Sequence, residues 1–209
     1  MTVSASPNRQ TTPAAPLASH RVLGLLGMLG SPVFLLQWLS SDSLAANAPL
    51  PQGVSASLLR IAYLVAWACS AVGLRRLRAT GTGRGAAAIF AVQVVGLLLA
   101  ASQELQDLTG VRPLGDAFYT ACDIAWPASH VFMLVVGAAV LRAGVWTGWR
   151  RWTPLACGLV VPAMFAASAL GGPAAMGAVF GIGTAVAFFS LGLALFTFRG
   201  ASHQKEPRQ

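Results

Sequence analysis

Charge all but vanishes from most of this chain, in runs long enough to cross a lipid bilayer. Residues 21–39, 54–77, 85–103, 117–141, 153–170 and 174–198 are built mainly from Leu, Val, Ala, Ile, Phe and Gly. A hydrocarbon core about 30 Å thick takes about 20 such residues as a helix. Inside it the backbone has no water to bond, so its N–H and C=O groups must be satisfied within the segment. The expected fold is an all-α integral membrane protein. It is a six-transmembrane-helix bundle over 20–199, with a disordered Ser, Thr, Pro and Ala-rich tail at 1–19 and a polar tail at 200–209. Only 10% of the residues are charged, against about 25% in a soluble domain. The first run is too long for a typical signal peptide, and Ala46-Asn47-Ala48 lies far beyond its end. An uncleaved first helix is expected.

Arginine sets the orientation. Arg9 and Arg21 precede the first run. Arg75, Arg76, Arg78 and Arg84 follow the second, Arg142, Arg150 and Arg151 follow the fourth, and Arg199, Lys205 and Arg208 follow the sixth. The alternate loops carry Asp42, then Glu104, Asp107, Arg112 and Asp116, then no charge. The positive-inside rule then places both termini in the cytoplasm. The net charge of +8 is thereby assigned to anionic lipid headgroups rather than to nucleic acid. The arginine- and alanine-rich composition suits a GC-rich bacterial genome, and a bacterial inner membrane is the expected location.

Against this background the stretch Cys122-Asp123-Ile124-Ala125-Trp126-Pro127-Ala128-Ser129-His130 stands out. An acid at the centre of a spanning helix costs roughly 2.5–3.5 kcal/mol on insertion scales. At about 100° per residue, Asp116, Tyr119, Asp123, His130 and Gly137 fall near one line. Gln93, Ala100, Glu104 and Asp107 share a line on the third run, with Gly96 at its edge, and Arg60, Trp67 and Ala71 share one on the second. Polar stripes on neighbouring helices meet in a bundle's interior. Arg60, Asp123 and Glu104 fall at similar depth near the outer end, with Gln37 in reach, while His130 and Gln93 lie near the midplane. The expected ligand or proton site is Asp123, His130, Arg60, Glu104 and Gln93, a vestibule open to the outer face. Pro127 is expected to kink its helix and free the Asp123 carbonyl. Asp123 and His130 are about 10 Å apart along the axis, so only a water or ligand bridges them. The bland alternative is a structural ion pair, a satisfied core histidine and an ordinary transmembrane proline.

Much chemistry is missing. With only three histidines, two of them outside the apolar runs, paired haem ligation across the membrane has no residues to use. No metal-binding spacing, phosphate loop or dinucleotide fingerprint occurs, and no cofactor or metal is expected. Cys69, Cys122 and Cys157 are read as small buried hydrophobes. Gly177, Gly181 and Ala185 form a small-xxx-small helix-packing face, for use within the chain or in a homodimer. The functional reading is a small proton-coupled carrier or ligand-binding membrane protein. The alternatives are a structural or regulatory membrane subunit, and an intramembrane enzyme acting on a lipid or quinone-like substrate.

Overall fold

A computed structural model describes residues 18–40 and 53–198. The expected tails 1–19 and 200–209, Asp42 and the Ala46-Asn47-Ala48 site lie outside these residues, except that 18 and 19 open the first helix. The helices are α1 (Ala18–Gly30), α2 (Val33–Ser40), α3 (Val54–Arg76), α4 (Arg84–Thr109), α5 (Gly115–Ala143) and α6 (Thr153–Phe196). A short 3-10 helix, Gly148–Trp152, precedes α6. Five helical stretches are long and apolar enough to cross a membrane: His20–Ser40, Val54–Arg76, Arg84–Thr109, Gly115–Ala143 and Gly148–Phe196.

The first stretch is interrupted once. Pro32 has no N–H to give, so the ladder breaks between α1 and α2. Ser31 bridges the gap by donating its Oγ–H to the Met28 carbonyl at 2.7 Å. The last stretch changes direction. Gly172 has φ 71° and ψ −166°, a conformation essentially restricted to glycine. Beyond it the chain folds back, so that a Cβ on Gly183 would lie 3.3 Å from a Val160 methyl carbon. In an unbroken helix those two positions would stand about 34 Å apart. The expected fifth and sixth spans are thus two arms of α6 joined at the Gly171-Gly172-Pro173 turn. α4 continues past the expected end at 103 because Gln103, Glu104, Gln106 and Asp107 extend the helix after its apolar run has stopped.

The arms close a ring. α1 packs on α3, α3 on α4, α4 on α5, α5 on the first arm of α6, and the second arm of α6 returns to α1 and α2. Lipid is as apolar as leucine, so close packing rather than water exclusion holds such helices together. Glycines permit that approach. A Cβ on Gly24 would meet the Gly192 carbonyl oxygen at 2.6 Å, and one on Gly192 would meet the Gly24 carbonyl at 2.7 Å. Gly158 and Gly137 do the same between α6 and α5, against Leu134 and Leu155. The outer surface is the reverse of a soluble protein's. Leu98 is 63% exposed, and Leu29, Val65, Ile124 and Val186 lie open on the other stretches. Contiguous apolar surface of this kind is a liability in water and a fit to lipid.

Gly177 and Gly181 are used inside the ring. A Cβ on Gly177 would meet the Trp38 ring at 2.8 Å, and one on Gly181 would meet the α2 backbone at Leu35 at 3.2 Å. Ala185 is half-buried on the same arm. The face put forward for a homodimer is therefore already covered at both glycines by α2.

Candidate functional site

The bundle has two chemically distinct ends. Arg75, Arg76, Arg84, Arg142, Arg150 and Arg151 gather where α3, α5 and the second arm of α6 end. The last turn of α6 is tied there by Arg150, whose Nη2 donates to Thr197 Oγ1 at 3.3 Å. The opposite end carries Glu104, Asp107, Asp116 and Asp123. The expected site residues are distributed between these ends and the middle.

Arg60 and Glu104 come together. Arg60 Nε lies 2.8 Å from both Glu104 carboxylate oxygens, and its Nη2 donates to Ser57 Oγ at 3.3 Å. Glu104 is only 2% exposed. The pair is closed on itself and joins α3 to α4. Asp123 does not join it. It is exposed and forms no hydrogen bond or ion pair among the described residues. The nearby polar end is held instead by Asp107, which accepts from Gln103 Nε2 at 2.6 Å and from the Tyr119 hydroxyl at 2.9 Å. Arg112, paired with Asp116, lies over the Tyr119 ring.

His130 sits deeper and is fully buried. Its Nδ1 lies 3.1 Å from the Trp126 carbonyl and its Nε2 lies 3.0 Å from the Tyr63 hydroxyl. A carbonyl only accepts, so Nδ1 carries the proton. Nε2 of the neutral ring then accepts, and Tyr63 donates to it. Both ring nitrogens are occupied. Around them stand Trp67 at 4.3 Å and Trp126 at 4.4 Å between ring centres, with Phe180 and Phe188 within 6 Å and Phe34 against Tyr63 and Trp126. This aromatic plug fills the middle of the ring. The helix itself stays helical through Pro127. Two carbonyls just before the proline also take side-chain donors: Ser129 Oγ gives to Ala125 at 2.7 Å, and His130 Nδ1 to Trp126. Neither is the Asp123 carbonyl that Pro127 leaves without its helical partner.

Gln93 is different. It is 3% exposed, and neither its side-chain nitrogen nor its oxygen has a partner. Among the described residues no other side chain has both polar atoms buried and unpaired. It lines a pocket with Trp67, Ala71, Leu74, Arg75, Thr80, Ile89, Phe90, Met133, Val136 and Leu191. The Trp67 indole N–H, on the same pocket, is also buried and unpaired. The pocket's free space is about 20 Å³, room for about one water molecule. It runs from Gln93 and Trp67 at mid-depth towards Arg75 and Thr80 at the arginine-rich end. The polar opening expected at the acidic end, floored by His130 and Gln93, is not what the described side chains form. Arg60 and Glu104 neutralise one another there. His130 is sealed among rings, and Gln93 turns to the other side.

Trp67 and Gln93 were legible as members of polar stripes. Tyr63 was missed as a functional residue, although it lies three residues after Arg60 and four before Trp67, on the same face of α3. No three of the described His, Cys, Asp and Glu side chains converge to hold a metal ion. Compared with protein-family models, curated proteins and solved structures, the chain matches none.

Proposed function

We propose that this chain is a six-span membrane protein of a bacterial inner membrane, with both termini in the cytoplasm, that binds a small ligand at Gln93 and Trp67 from the cytoplasmic side. The six crossings count the two arms of α6 separately. The orientation rests on the arginine-rich end. The observation that carries the binding reading is the Gln93 amide, buried at mid-depth, unpaired at both atoms and lining a pocket. A buried polar group without a partner costs about 1–3 kcal/mol, and a bound ligand or water removes that cost.

The carrier version of this reading has the acidic side closed by the Arg60–Glu104 pair and the aromatic plug, and the arginine side open. Midplane polar groups reached from one side at a time are how small carriers work. Proton coupling through Asp123 and His130 loses its support, since one is exposed and the other has both nitrogens engaged. The alternative of a structural subunit is favoured by those same saturated groups, and it requires a dry pocket.

Hydroxyl-radical labelling in lipid nanodiscs separates the two. Met133 is 1% exposed yet lines the pocket, while Met164 is also buried and does not. Oxidation of Met133 above Met164, lost in Gln93→Leu, supports the binding reading. Equal protection of both methionines supports the structural one.

A further inference from the structure

Size and polarity together decide what the space beside Gln93 can hold. It measures about 20 Å³, and a water molecule needs about 10–15 Å³ of such space. Gln93 is 3% exposed, with both amide atoms buried and unpaired. Trp67 lines the same space, and its indole N–H is buried and unpaired. Much of the remaining wall is apolar, with Leu74, Phe90, Met133 and Leu191. A wholly apolar cavity stays dry, whereas one with two or more polar partners holds water. Anything much larger than water has to move a wall. A bare ion would exchange its hydration shell for neutral partners and hydrocarbon, at a heavy cost.

We infer that the occupant of the Gln93–Trp67 site is one water molecule. It accepts from the Trp67 indole N–H and donates to the Gln93 amide oxygen, which meets the minimum of about two partners for a buried water. The water ties α3 to α4 at mid-depth, as Arg60 and Glu104 tie the same two helices directly nearer the acidic end. It exchanges past Arg75 and Thr80. Both line the space towards the arginine-rich end, and neither side chain forms a hydrogen bond among the described residues. This inference rests on the reading of the Gln93 site as occupied, and it names the occupant.

The test is magnetisation transfer to the nitrogen-15-labelled full chain in nanodiscs, with water protons and lipid acyl protons selected as the source in separate experiments. The Trp126 indole N–H is also buried and unpaired but does not line this space, so it serves as the dry reference. Transfer from water to the Trp67 indole and the Gln93 amide is expected, well above that to Trp126. In Gln93→Leu the transfer to Trp67 is expected to fall to the Trp126 level. Ala71→Val adds two methyl groups on the lining and leaves both polar groups in place. It is expected to lose the transfer as well. An unchanged Trp126 resonance in either variant shows that the fold is kept. Water transfer to Trp67 that survives both substitutions overturns the inference, because the water is then not held at this site. Transfer from acyl protons in place of water also overturns it, but leaves an occupied site and so the binding reading. Transfer from neither source means a dry site, and both fall.

Discussion

Tyr63 gives its hydroxyl proton to His130 Nε2 across 3.0 Å, and the ring's other nitrogen is held by the Trp126 carbonyl at 3.1 Å. The tautomer is therefore fixed by the helix that carries the histidine. Nitrogen-15 spectra of labelled His130 are expected to show a protonated Nδ1 and an unprotonated Nε2. Tyr63→Phe removes the only donor to Nε2 among the described residues and is expected to cost about 1–3 kcal/mol without changing the tautomer. A protonated Nε2 in the parent would contradict the assignment.

Arg60 and Glu104 differ in exposure, at 15% and 3% for the side chains. Breaking a buried pair from one side costs about 3–5 kcal/mol, because the other charge is stranded. Arg60→Met strands the deeper Glu104, whereas Glu104→Leu strands an arginine long enough to reach the headgroups. Thermal unfolding in detergent is expected to rank Arg60→Met as the more damaging single change. The double variant should lose much less than the sum of the two.

The reversal at Gly172 makes a geometric prediction. A Cβ on Gly183 would lie 3.9 Å from the Val160 Cβ, within the range that disulfides span, about 3.5–4.5 Å. With Cys69, Cys122 and Cys157 replaced, the pair Val160→Cys and Gly183→Cys is expected to oxidise readily within one chain. A continuous α6 would keep the two thiols apart and give no intramolecular bridge.

Close packing at the ring closure is equally specific. Gly192→Ala drives a methyl against the Gly24 carbonyl and Met28 N, both 2.7 Å away. That overpacking is expected to cost about 1–3 kcal/mol. Gly85→Ala, at a helical position with nothing within 4 Å, is expected to be neutral or to gain up to about 1 kcal/mol. Reversal of that order in melting temperature would mean that α1 and α6 do not meet at these glycines.

The apolar runs made the long helices legible, because a backbone in hydrocarbon has few alternatives. Depth and charge put Arg60 within reach of both Asp123 and Glu104, and it pairs with Glu104. Asp123 shows where such reasoning stops. It shares a line with His130 on α5, yet one is exposed and the other fully buried. A helical line gives direction only. Whether a neighbour covers that direction at a given height depends on how the helices splay, and around Asp123 only Cys122 of the adjacent residues is buried. The pocket's opening was illegible for the same reason. Gln93 and Glu104 lie on one stripe of α4, but their surroundings are set by α3 and α5. Asp123→Asn is accordingly expected to change stability by less than about 0.5 kcal/mol.

Access to Gln93 tests the whole reading most directly. In a chain lacking its native cysteines, Gln93→Cys would be exposed to a membrane-impermeant anionic thiol reagent in right-side-out and inverted vesicles. Modification from the arginine-rich face, the one proposed to be cytoplasmic, and protection from the other face are the expected results. Modification from the acidic face, or none from either, would contradict a ligand pocket closed by Arg60 and Glu104 on one side and open past Arg75 on the other.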